Sequence, residues 1–145
     1  MWTYFLTLND IKDICFSAAR ELYKFNEPLP EFSTRFPHKL EAVLGIPETE
    51  VFGKKVHNTT IDQAACYFYY IIKNHPFLNG NKRIAVISCY VFLRLNDHEL
   101  TASWEAIYDF AITISQPSKN HEKEFTEVVE FLKHNTRRRW FPLLF

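Results

Sequence analysis

Glycine is nearly absent from this chain, with three residues in 145. A strand-rich sandwich or a glycine-rich dinucleotide-binding unit would need more glycine turns, so the shortage favours helices. Net charge is absent too: 17 basic residues balance 17 acidic ones. That balance removes any general attraction to nucleic acid or membrane, and charge must act locally. The three cysteines, Cys15, Cys66 and Cys89, lie far apart in apolar stretches. They have no metal-ligand spacing, and buried reduced thiols are the plain reading. No apolar run is long enough to span a bilayer. The N-terminus has no basic segment followed by an apolar run, so no signal peptide is visible and a cytoplasmic protein is expected.

Aromatic residues are plentiful, with 14 phenylalanines and 7 tyrosines. Hydrophobic periodicity predicts six helices in one domain over residues 1–145, with a core at about 6–135 and a basic, then apolar, tail over 136–145. The first helix opens at Thr7, with Asp10 at capping-box spacing, and turns Leu8, Ile11, Ile14, Cys15, Ala18, Leu22 and Phe25 inward. It stops before Pro28 and Pro30. A short second helix starts at Pro37 and ends near Gly45. Val51, Phe52, Gly53, Lys54, Lys55 and Val56 suggest a small hairpin, turning at Gly53-Lys54-Lys55. Thr59 or Thr60 caps a third helix. The fourth runs from about Asn81 to Leu95 with almost no polar face, as expected of a central buried helix. Ser103 caps a fifth, and residues 121–135 give a sixth. The expected fold is an all-α bundle with a buried central helix and a small β-hairpin flap.

The segment "HPFLNGNKR", residues 75–83, crowds polar groups at the mouth of that oily helix. Backbone N–H groups at a helix N-terminus lack intrahelical partners and attract anions. Gly80 lets the backbone approach a ligand closely, and Asn81 has amide donors. Lys82 and Arg83 stand at the positive pole of the dipole, where cations are unfavourable unless an anion offsets them. A phosphate would do so. His75 adds a general base whose ordinary pKa lies near working pH. A base, a donor cradle and an arginine are the parts needed to deprotonate a hydroxyl and steer it onto a phosphate.

His75-Pro76-Phe77-Leu78-Asn79-Gly80-Asn81-Lys82-Arg83 resembles the signature of the Fic/Doc family. "VFLRLND" and "KLEAVLG" extend the likeness. The resemblance implies a small all-helical domain with the motif between two central helices. It implies that His75 is the catalytic base, that Gly80 and Asn81 form an anion hole, and that Lys82 and Arg83 hold the phosphates of ATP. Asn79 falls where the family carries a magnesium-binding carboxylate. An amide oxygen is a weaker, uncharged ligand, so Mg2+ is expected to rest on phosphates, water and the Asn79 carbonyl.

Family members that transfer AMP usually carry a second arginine three residues after the first. Val86 stands there, and Lys82 replaces their glycine. Both departures resemble Doc-type toxins, which implies transfer of a phosphate from ATP to a hydroxyl side chain of a protein target, a translation elongation factor by analogy. An antitoxin is the implied partner. AMP transfer is the alternative reaction, and a catalytically silent Fic-fold binding module is the alternative raised by Asn79. Val51, Phe52, Gly53, Lys54 and Lys55 would form the flap that positions the target, by strand addition at a hairpin edge; a plain surface turn is the equal alternative. Ser17 and Glu21 have the spacing of an inhibitory helix, but Leu22 breaks that pattern. The other histidines show no ligand spacing. Three arginines near 137–139 suit the negative end of the sixth helix. The apolar termini are expected to pack on the bundle, an antitoxin or a second copy of the chain.

Overall fold

The computed structural model describes residues 2–23 and 27–139. Among these the order of elements is α1 (Phe16–Leu22), α2 (Pro37–Gly45), β1 (Glu50–Val51), β2 (Lys54–Lys55), α3 (Thr60–Asn74), α4 (Asn81–Leu95), β3 (His98–Leu100), α5 (Trp104–Ser115), α6 (His121–His134) and β4 (Thr136–Arg138). The strands form two short antiparallel pairs, and the rest of the ordered framework is helical. No helix among the described residues is long and apolar enough to cross a membrane.

The centre is the α3–α4 hairpin. One hollow joins Thr60 at the start of α3 to Leu95 at the end of α4, and another joins Ile72 to Asn81 at the opposite ends. The two helices therefore run antiparallel. Eleven of the fifteen residues of α4 are buried, including Ile84, Val86, Ile87, Phe92 and Leu93. A helix apolar on nearly every side has no solvent face to offer, so the other helices enclose it. In α3 the "CYFYY" run is core: Cys66, Tyr67, Phe68 and Tyr69 are all buried. Tyr67 keeps its hydroxyl satisfied by accepting the Leu6 N–H at 3.0 Å.

The helical stretch leading into α1 opens as expected. The Thr7 N–H donates to Asp10 Oδ2 at 2.8 Å, and the Asp10 N–H donates to Thr7 Oγ1 at 3.2 Å. A π-helical turn over Asp10–Cys15 then precedes α1. Its wider pitch rotates later residues off the 3.6-residue register. Ile11, Cys15, Ala19 and Tyr23 face the core, whereas Ile14 and Leu22 are 45% and 41% exposed and do not take the inward places expected of them. Phe25 lies outside the described residues.

The flap hairpin forms with Glu50 opposite Lys55 and Val51 opposite Lys54. Its turn is Phe52-Gly53, not Gly53-Lys54-Lys55; both turn residues have positive φ, 52° and 76°. That is the twist two-residue hairpins prefer. The arginines after α6 also depart from expectation. Arg137 and Arg138 lie in β4, which pairs with β3 in the register Glu99 opposite Arg137. Arg137 bonds Glu99 through its side chain at 3.1 Å, so strand pairing and an ion pair place it, not the helix dipole. The apolar tail lies outside the described residues.

All three cysteines are buried and unbridged. Burial pushes the Cys15 and Cys66 thiols up to about 12 and raises that of Cys89 as well, so each behaves as an inert apolar group at neutral pH.

Candidate active site

Two left-handed residues bound the loop between the central helices. His75 caps the C-terminus of α3 at φ 48°, and Gly80 caps the N-terminus of α4 at φ 74°. The first position is one that glycine usually holds. A histidine there puts an exposed imidazole at the rim of the loop. Phe77 anchors the middle: its buried ring packs at 5.1 Å from Phe16 and 6.2 Å from Phe32. Asn81 closes the loop from the other side. Its Oδ1 accepts the Phe77 N–H at 3.0 Å and its Nδ2 donates to the Phe77 carbonyl at 2.9 Å. The amide expected to face an anion is therefore turned inward, and its remaining contact is a long one, 3.4 Å to His75 Nδ1.

Anion capacity consequently rests on the backbone and the two cations. Thr59, Ser103 and Asn120 cap α3, α5 and α6 with their side chains, but α4 starts at Gly80 with no side-chain cap. Its first N–H groups have no partner within the helix. Arg83 is only 4% exposed, and its Nη1 donates to the Glu27 carbonyl at 2.9 Å. One cavity of about 250 Å3 gathers His75, Asn79, Gly80, Asn81, Lys82 and Arg83. A larger hollow of about 440 Å3, between Thr59, Asn96 and Arg138, lies at the far end of the hairpin and shares none of these groups.

Sequence reasoning did not find the rest of the cavity wall. Glu27, Ile72, Leu78, Tyr108 and Ser115 complete it. Tyr108 and Ser115 are seven residues apart on α5, a spacing that brings both to one face. Tyr108, Arg83 and Glu27 line the same cavity; burial raises the Tyr108 pKa, Arg83 opposes that rise and Glu27 adds to it. None of the flap residues Val51, Phe52, Gly53, Lys54 and Lys55 lines the cavity, and Phe52 is 99% exposed at the hairpin tip. The other histidines are also elsewhere: His57 packs on Phe125, His98 Nδ1 meets the Asn96 carbonyl, and His121 Nδ1 meets the Tyr69 hydroxyl.

The fit to magnesium turns on Asn79. Its Oδ1 is buried without a hydrogen-bond partner, an acceptor that the protein leaves unused. No group of three or more His, Cys, Asp or Glu side chains among the described residues is placed to hold a metal. This set fits an ion that arrives on phosphate oxygens and takes at most one neutral ligand from the loop.

The model of the Fic/DOC family matches residues 5–93, more than half of the sequence, and the chain belongs to that family. It is also similar to the protein named Toxin Doc of Mycolicibacterium smegmatis (strain ATCC 700084 / mc(2)155). The two are 30% identical over 66 residues, 46% of this chain and 51% of the relative. The match thus spans about half the length of that relative. No solved structure gives a significant match.

Proposed function

We propose that the protein is a Doc-type toxin that transfers the γ-phosphoryl group of ATP to a hydroxyl side chain of a protein target. The observation that supports this reading best is the single cavity that joins an exposed imidazole, an uncapped helix N-terminus, Lys82 and Arg83. His75 takes the hydroxyl proton. The target oxygen bonds to the γ-phosphorus as the bond to the β-bridging oxygen breaks, and ADP leaves. Backbone N–H groups of α4, with Lys82 and Arg83, offset the charge on the transferring group. Bound Mg2+ would neutralise phosphate charge, with the Asn79 oxygen as its one loop ligand.

Phosphoryl transfer is favoured over AMP transfer by position 86. Position 86 holds a fully buried valine, so α4 supplies no second arginine there. The flap would hold the target in extended form, an antitoxin would restrain the toxin, and the cytoplasm is the compartment that fits an ATP-dependent reaction. A translation elongation factor is the first target to test.

The test is incubation with MgATP and candidate target proteins, followed by intact-mass measurement, with His75→Ala as control. A phosphate adduct made by the wild type and lost in the control is the expected result. An AMP adduct would replace this reading by the alternative reaction. No adduct from either protein across many targets would leave a silent binding module, the reading that the amide at Asn79 supports.

A further inference from the structure

Residues 27–36 lie across the 75–83 loop and touch it along their length. At one end the Phe36 N–H donates to the Pro76 carbonyl at 2.8 Å. Next, the Phe32 ring packs on Phe77. At the other end Leu29 covers the α-carbon of Gly80: a Cβ built there would overlap Leu29 Cδ2 and stand 3.2 Å from Arg83 Nη2. Beyond it the Glu27 carbonyl takes a donor of Arg83. The bare side of the glycine, which sequence alone assigns to a close-approaching ligand, is filled by a leucine.

We propose that Glu27-Pro28-Leu29-Pro30 is an autoinhibitory strap, held down by Leu29 on Gly80 and by Arg83 on the Glu27 carbonyl, which lifts before phosphate oxygens reach Arg83. The proposal rests on the reading of the cavity as a nucleotide site. An arginine that grips phosphate presents a fork of N–H donors. Arg83 is almost wholly covered, and part of its fork faces a main-chain carbonyl. A charged phosphate is a stronger partner than a neutral carbonyl, so nucleotide and strap compete for one guanidinium. The two ends of the segment are fastened differently. The 32–36 end has an aromatic anchor and a backbone hydrogen bond to the loop; the 27–29 end meets the site through Leu29 on Gly80 and the Glu27 carbonyl on Arg83. Pro28 and Pro30 keep the stretch between extended, so it moves as a unit about residues 30–31.

Apparent affinity equals intrinsic affinity reduced by the fraction of open molecules. Removing the leucine contact raises that fraction, and we expect Leu29→Ala to bind MgATP about tenfold more tightly in calorimetry. Phenylglyoxal, which modifies accessible arginine, should label Arg83 several-fold faster in Leu29→Ala than in the wild type, measured by peptide mass with Arg20 as internal reference. Pro28→Gly slackens the strap without removing the leucine, should shift both readouts the same way, and carries the test alone if Leu29→Ala does not fold. Faster labelling with tighter binding supports the strap. Unchanged or slower labelling, or, where the wild type binds MgATP, unchanged or weaker binding in the variants, overturns it and makes Leu29 a plain wall of the site. Faster labelling in a set of proteins none of which binds MgATP supports the strap and removes the nucleotide reading instead.

Discussion

Asn81 grips Phe77 by both ends of its amide, accepting from the backbone N–H and donating to the carbonyl of the same residue. This pair sets the shape of the loop. Asn81 is 7% exposed, so water is a poor substitute for either bond. An anion hole at Gly80 and Asn81, as family likeness implies, would therefore have to be made of main-chain groups, because the Asn81 side chain is spent on shaping the loop.

Asn81→Ala leaves two buried backbone groups of Phe77 without partners. At about 1–3 kcal/mol for each unsatisfied group, the expected loss is about 2–6 kcal/mol in urea denaturation. Asn81→Asp retains the acceptor and loses the donor, and should fall between the two. A loss below about 0.5 kcal/mol for Asn81→Ala would show that the clamp is exchangeable with solvent.

His75 holds a backbone conformation better suited to glycine, at φ 48°. A strained residue of this kind costs about 1 kcal/mol or more. His75→Gly should therefore raise stability by about 1 kcal/mol while reducing transfer by roughly 100-fold or more, the range for loss of a general base. His75→Ala should lose the same activity without the gain, because alanine keeps the strain. A thermal melt of the three proteins separates the effects. Equal melting temperatures for the glycine and alanine variants would mean the loop relaxes and stores no strain.

Much of this was legible because local signals agreed. The capping pair Thr7–Asp10, the Thr59 and Ser103 caps, and the run from Asn81 to Leu95 each state their element in residue types alone. What stayed hidden depends on partners distant in sequence. The π turn over Asp10–Cys15 leaves no mark in residue spacing, so Ile14 was expected inside. The pairing of Glu99 with Arg137 joins short polar strands that show no alternation. An inward-turned Asn81 amide looks in sequence like one that faces a ligand. The contact between Leu29 and Gly80 needs a connector folded back over the loop, which "NEPLPEF" does not announce.

The pH dependence of stability should carry a contribution from His57. Its ring is half-buried against Phe125, and burial lowers its pKa, opposed in part by Asp62. In the unfolded chain the ring has its ordinary pKa near about 6.5. As pH falls through that value, the unfolded state takes up the proton first. The His57 contribution is thus full above about pH 6.5 and is lost as pH falls toward the lower folded value. His57→Phe keeps the ring contact and removes the titration. Denaturation at pH 7.5 and pH 5 should show a smaller loss of stability on acidification in the variant than in the wild type. Parallel losses would assign the acid sensitivity elsewhere.

The fit of Leu29 against Gly80 is measurable as a coupling, independently of any ligand. Gly80→Ala carries two penalties: alanine at φ 74°, and a Cβ driven into Leu29 Cδ2. The first is about 1–2 kcal/mol, and forcing a methyl into filled space adds about 1–3 kcal/mol. In a Leu29→Ala background the overlap with Leu29 vanishes, while the backbone penalty and the 3.2 Å approach to Arg83 Nη2 remain. A double-mutant cycle in urea should then give a coupling of about 1–3 kcal/mol. The sign matters as much as the size: Leu29→Ala should destabilise the wild type yet relieve Gly80→Ala. Strict additivity would mean that the leucine swings aside at no cost. In that case Gly80 is required for its backbone angle alone, and the space beside it is open to other occupants.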